Sequence, residues 1–211
     1  MKIDTPNIHT ELKAKNFHDI LYEEDPTFNS CIISNSLFEN EILDGVQLAN
    51  VVIKNSKFSN TDFGRIDMLD VRFENCDLSN VNFGNASIHR VAFVNSKLVG
   101  TSIAESSLGN VTFENCVLSL AIIANSKLKN VIFKENALQD TDFYDCKLKN
   151  VAFDVCNLNG TKFNHTSLKG IDISTSTFSQ LVVSIEDLKG CKVSTYQAIQ
   201  FSSLLGLQIT D

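Results

Sequence analysis

Residues 76–85 read Cys76-Asp77-Leu78-Ser79-Asn80-Val81-Asn82-Phe83-Gly84-Asn85. Two five-residue units lie back to back here. Each sets a small residue two places before a large apolar one and ends in Asn. Working outward, the large position recurs at every fifth residue from Phe28 to Val183, 32 positions without a slip of register. It includes Phe73, Phe83, Phe93, Phe113, Phe133, Phe143, Phe153 and Phe163, and 13 of the 15 Phe residues fall on it. The place two residues earlier is Ala, Cys, Ser, Thr or Val at 26 of 31 occurrences, the exceptions being Glu41, Ile66, Asn136, Ile171 and Leu181. A short fixed period of this kind implies stacked units sharing one continuous core, and it precedes any reading of single helices or strands.

Segments such as Cys76-Asp77-Leu78-Ser79-Asn80 and Cys156-Asn157-Leu158-Asn159-Gly160 resemble the pentapeptide repeat, whose consensus is A(D/N)LXX. The resemblance covers residues 26–193. It implies an all-β fold, a right-handed quadrilateral parallel β-helix with one pentapeptide per side and four per coil. Residues 20 apart then stack, and the core makes about eight coils, roughly 38 Å long at β-strand spacing. Phe dominates large positions ending in 3 and Leu those ending in 8, so opposite sides of the rectangle present like residues to the axis. Burying these side chains, at about 1.5–3 kcal/mol each, is expected to be the main favourable term and to leave little room for a ligand. Asn recurs two places after the large residue, from Asn35 to Asn150, at sites that become corners. Asn tolerates unusual backbone angles there and bonds to neighbouring backbone.

Outside the repeat, residues 1–25 are irregular and are expected to cap the first coil, with a helical turn near Phe17-His18-Asp19-Ile20-Leu21. An uncapped solenoid end would expose both core and unpaired backbone. Residues 194–211 form a third unit. Ser194-Thr195-Tyr196-Gln197 has the form of a capping box. It predicts a helix running to about Leu205, with Gly206 as its stop and Leu207-Gln208-Ile209 as a short strand. Tyr196, Ala198, Ile199, Phe201, Leu204 and Leu205 lie around most of that helix, so one side can cover the last coil while another needs a partner. With Leu207 and Ile209 they are the candidate dimerisation residues.

Charge and cysteine usage narrow the function. The formal net charge is −7, all of it within residues 1–77, and residues 78–211 are neutral. That balance argues against a broadly basic nucleic-acid surface. The six cysteines occupy the small inward site of the repeat, where thiols fill space. Cys76, Cys116 and Cys156 share a side, two coils apart at roughly 9.6 Å, beyond the reach of a disulfide. His9, His18, His89 and His165 show no metal-ligand spacing, and no phosphate-binding glycine loop occurs. No cofactor and no catalysis are expected. The N-terminus lacks the apolar core of a secretory signal, and no apolar run reaches 18 residues. A cytoplasmic protein without a membrane span is therefore expected.

The remaining signal is surface. Stacking by 20 gathers Lys127, Lys129, Lys147, Lys149, Lys169 and Lys189 into a basic stripe, with Glu105, Asp142 and Asp145 on an adjacent acidic side. Acids also gather early, among them Glu39, Glu41, Asp44, Asp62, Asp67, Asp70, Glu74 and Asp77.

Tyr196-Gln197-Ala198 and Leu205-Gly206-Leu207 are similar to the C-terminal dimerisation module of the Qnr quinolone-resistance proteins. That resemblance implies a cytoplasmic homodimer, a rod shaped and charged like duplex DNA that does not itself bind nucleic acid. Its implied partners are DNA gyrase or topoisomerase IV, and its implied effect is inhibition of supercoiling or protection against fluoroquinolones. The register carries no inserted loops, so the chain looks more like the loop-free members, which resemble gyrase-inhibiting DNA mimics. A structural or interaction module with another partner is the alternative.

Overall fold

The computed structural model describes residues 1–208 and 210. The chain winds into a parallel β-solenoid in which each circuit takes 20 residues. One eight-stranded sheet runs its length in sequential order. The first strand, β1 (Lys13–Lys15), pairs with β2 (Thr27–Ser34). Then follow β3 (Gln47–Lys54), β4 (Asp67–Glu74), β5 (Ser87–Val94), β6 (Ser107–Glu114), β7 (Lys127–Lys134) and β8 (Lys147–Asp154). The register is strict: Phe73 lies beside Phe93, and Lys127 beside Lys147. Seven coils thus carry a full strand. Beyond β8 stacking continues only as single bridges, ending at Asp172–Lys192, so the expected eighth coil is present without a strand.

The coil is square because the backbone takes a positive φ once in every five residues, from Ser30 to Gly170. From Phe58 to Thr161, one corner of each coil is closed by a backbone bond of the type II turn, as in Thr61 N–H to Phe58 C=O and Val81 N–H to Leu78 C=O. The next corner has such a bond at Ile66 and Thr166, while at Ala86, Ser106 and Cys146 the N–H donates to a hydroxyl of the following coil. The other two corners fall within or at the end of a strand, as at Asp70 and Asn75, where the chain bends without leaving the sheet. All fourteen Asn of the sequence pattern sit at positive φ, as the corner reading expects. Their amides also stack: Asn80 Nδ2 donates to Asn60 Oδ1 at 3.0 Å, and Asn60 Nδ2 to Asn40 Oδ1 at 3.0 Å.

Inside, every large position of the repeat is buried except Leu43 and Leu148, which are half-buried. Phe73, Phe93, Phe113 and Phe133 stack face to face with centroids 4.9 Å apart, which sets the rise per coil. Phe143 meets Phe133 and Phe153 edge-on across the axis at 5.7 Å. Aromatic contacts of these geometries add about 0.5–1.5 kcal/mol beyond area burial. The polar ones among the small inward residues bind backbone. Ser96 Oγ accepts Cys76 N–H at 3.0 Å from the coil before and donates to Val94 C=O at 2.9 Å. Asn136, an exception to the small-residue rule, does the same with its amide, accepting Cys116 N–H and donating to Phe113 C=O.

Both ends are plugged by the two Phe residues that lie off the repeat. Phe17, on a 3₁₀ helix (Phe17–Tyr22) opened by an Asn16–Asp19 capping box, packs on Phe28, Phe38, Phe58 and Phe63. At the other end, a short α1 (Ile185–Leu188) precedes α2 (Thr195–Phe201), which begins at the expected Ser194–Gln197 capping box. Phe201 packs on Phe178. The helix departs from expectation in its length: α2 stops at Phe201, and a 3₁₀ turn continues over Ser202–Leu205 to the left-handed Gly206. Leu207 and Gln208 carry no strand pairing, because no neighbouring strand stands beside them, and Ile209 lies outside the described residues.

The corner rule also exposes strain. Val155 holds φ +53° on the surface, a conformation that costs a β-branched residue more than Asn or Gly. Val155→Asn should raise stability by about 1 kcal/mol, read as a higher midpoint in urea unfolding. A lower midpoint would contradict the corner account.

Candidate functional site

With its axis filled by side chains, the rod offers chemistry only on its outside. Among the described residues, no group of three or more His, Cys, Asp or Glu side chains is placed to hold a metal ion. No helix is long and apolar enough to cross a membrane. The six cysteines are free thiols, buried except for the half-buried Cys191. Burial pushes each thiol up from 9.0 to about 11, so thiolate is scarce at neutral pH and the sulfurs are poor nucleophiles.

The nominated acids do come together. Glu105 and Asp145 occupy one corner ladder, both exposed, with Asn125 between them. Asp142 lies on the adjoining side, bridged to Ile122 and Lys162 in the neighbouring coils, and its Oδ1 is buried without a hydrogen-bond partner. Three of the early acids behave differently. Asp44 pairs with Arg65, Asp70 with Arg90, and Glu74 with Lys54 and Arg72. Arg90's hydrogen bond lowers the Asp70 pKa, and Lys54's does so for Glu74. These three acids are thus paired, whereas Glu39, Glu41, Asp62, Asp67 and Asp77, like Glu105, Asp142 and Asp145, have no cation within ion-pair distance among the described residues.

Beside that acidic corner, Lys127 and Lys129 stand in register with Lys147 and Lys149, and Lys169 continues the row one coil further on. A shallow depression of about 460 Å³ opens at its N-terminal end, where Gly109 leaves space between His89 and Lys129. At the C-terminal end of the rod, Leu188, Val193, Ala198, Phe201 and Leu204 line an apolar groove of about 440 Å³. Of the candidate dimerisation residues described, only Phe201 is substantially covered; Tyr196, Ile199, Leu205 and Leu207 are each at least half exposed.

Three features were not read from the sequence. Gln197 is buried beneath α2 and donates to Ile173 C=O at 2.8 Å and Ser176 C=O at 2.7 Å, sealing carbonyls of the last coil. Residues 4–9 form a strap along one corner: Asp4, Asn7 and His9 N–H groups reach Asn110, Asp70 and Asn50 Oδ1. Leu120, with Val117 and Ile122, exposes an apolar patch at mid-rod, with Leu120 at φ +63° where the ladder otherwise holds Asn, Asp or Gly. That departure was visible in the register.

These elements define a protein class. Residues 66–143 and 86–163 match the pentapeptide repeat region model, and the chain belongs to the pentapeptide-repeat family. Its fold is similar to that of QnrB1, a plasmid-mediated fluoroquinolone resistance protein. One trypsin-treated structure of QnrB1 aligns at TM-score 0.54 and 18% identity, over 95% of this chain and 100% of that one. A second aligns at 0.51 and 18%, over 94% and 98%. At this identity the likeness establishes the fold alone. No curated protein sequence matches.

The thiols give a pH prediction. Unfolded thiols ionise from about 9, while buried ones hold their protons to about 11, so the unfolded state binds fewer protons between those values. Thiol-linked stability is therefore complete below pH 9 and declines as pH rises toward 11. Native protein at pH 8 should resist iodoacetamide at Cys76, Cys116 and Cys156, all three reacting once urea is added. Rapid native labelling of Cys116 would contradict its inward placement.

Proposed function

We propose that this protein is a non-catalytic, DNA-like rod that binds a type II topoisomerase, DNA gyrase or topoisomerase IV, as an end-to-end homodimer. In this reading it inhibits supercoiling or protects against fluoroquinolones. The observation that carries the reading is the likeness in fold, along almost the whole chain, to a fluoroquinolone resistance protein. The unpaired carboxylates Glu105 and Asp145, two coils apart on one corner ladder, with Asp142 on the adjoining side, support it as a surface for a basic DNA channel. The unbroken register supports a contact made by the rod's sides, without projecting loops.

Dimerisation rests on the C-terminal end. Ile199, Leu204, Leu205 and Leu207 leave apolar area in water beside a groove that a second copy would cover. Wild type should sediment as a dimer at micromolar concentration. Leu204→Asp with Leu205→Asp should give monomers of unchanged β-sheet signal. A monomeric wild type would remove the end-to-end arrangement.

Purified protein should inhibit gyrase supercoiling, or restore it in the presence of ciprofloxacin, and the effect should weaken with added salt, since the Debye length is about 10 Å at 0.1 M. Asp142→Asn with Asp145→Asn should raise the inhibitory concentration about tenfold, as expected for losing two charges from an electrostatic interface, with the melting temperature held. No effect of wild type on gyrase or topoisomerase IV would defeat the proposal.

A further inference from the structure

The row of lysines differs from cations elsewhere on the rod in being stacked on one another without a carboxylate between them. Arg65, Arg90, Lys54 and Lys134 each meet a carboxylate from the adjacent coil. Among the described residues, Lys127, Lys129, Lys147, Lys149 and Lys169 meet none. Instead Lys127 faces Lys147 and Lys129 faces Lys149 in register, a like-charge arrangement that destabilises a sheet. One edge of this face is the acidic corner. The other is the corner ladder of Asn50, Asp70, Arg90, Asn110, Asn130 and Asn150.

That second edge already holds a peptide. The strap sends N–H groups to Asn50, Asp70 and Asn110, with distances of 2.8, 2.8 and 3.4 Å. From Asn7 to Asp4, three extended residues span roughly 10 Å, matching two coils at 4.9 Å each. An Asn in this ladder can serve both its neighbour and a peptide: Asn110 Oδ1 accepts Asn130 Nδ2 at 3.1 Å as well as Asp4 N–H. Asn130 and Asn150 continue the ladder past the strap's last bond, alongside the lysines.

We propose that the lysine face and the Asn130–Asn150 edge together form a docking track for an extended acidic polypeptide of another protein, laid along the rod as residues 4–9 are laid. The chemistry selects a peptide over a nucleic acid. Asn130 Oδ1 accepts Asn150 Nδ2 at 3.1 Å and can take a second N–H as Asn110 does. Such donors come from an extended backbone and not from a phosphodiester backbone, while carboxylates answer the lysines.

The test is fluorescence anisotropy of the full chain with fluorescein-labelled hexaglutamate at low salt, beside labelled oligothymidylate. Hexaglutamate should bind, and the oligonucleotide should bind more weakly. Lys147→Glu with Lys149→Glu should weaken hexaglutamate binding at least about tenfold, as paired charge reversals do at such surfaces. Asn150→Gly, which keeps the left-handed corner but removes Oδ1, should weaken it about threefold, the worth of one hydrogen bond. Should the double variant misfold, Lys127→Glu with Lys129→Glu tests the same face one coil away. Failure of wild type to bind hexaglutamate, equal binding by a folded charge-reversed variant, no effect of Asn150→Gly, or tighter binding of oligothymidylate would each overturn the proposal.

Discussion

A chain that returns to its starting direction after twenty residues must turn four times, and every turn here is made by one residue held at positive φ. Everything else depends on that corner. It points the residue two places earlier inward and makes the next two sides available for stacking. It also places each N–H opposite a carbonyl of the next coil. L-residues other than Gly, Asn and Asp resist this conformation, by about 1–2 kcal/mol. The sequence answers with Asn at fourteen corners and Gly at Gly45, Gly100, Gly160 and Gly170. The amide then does a second task, reaching across 4.9 Å to the next Asn, as in the Asn40–Asn60–Asn80 run.

Once the corners are fixed, the interior leaves little choice. Four large side chains meet at each level, and the small residue beside each must fit; where it is polar it also bonds to backbone. This explains why hydroxyl, thiol and once an amide occupy those sites, as in Ser96, Cys76 and Asn136. Thiols there are packing and hydrogen-bonding groups, and their raised pKa is a by-product of burial. The same geometry cannot finish itself at either end, so residues from outside the repeat complete it. Phe17 fills the first coil, while Gln197 and Phe201 close the last.

The repeat made the core legible, since burial of Phe73 or Phe153 follows from register alone. The capping box at Ser194 and Gln197 was equally legible because it is local chemistry. Less visible was what depends on distant parts of the chain meeting. The strap of residues 4–9 has no periodicity, and its partners Asn50, Asp70 and Asn110 read simply as corner residues. The cancellation of Asp44, Asp70 and Glu74 by cations could be inferred only after counting coils, and the buried role of Gln197 was hidden behind its place in the cap. Two clues were present but unread: the two Phe residues off the register are the end plugs, and Leu120 breaks an Asn corner on the surface. Leu207 and Gln208 read as strand by composition, yet a strand requires a neighbour.

The equivalence of the four sides has a consequence for how such a molecule can change over generations. Adding five residues anywhere in the repeat supplies another small–large pair, so the interior accepts it. Every surface feature beyond the insertion, however, turns by a quarter of a circle relative to those before it. The lysine row would leave the strap's edge, and Asp142 would part from Glu105. Only an insertion of twenty residues lengthens the rod while keeping its faces aligned. Selection on a surface partner would therefore count in whole coils, even though the fold itself counts in fives.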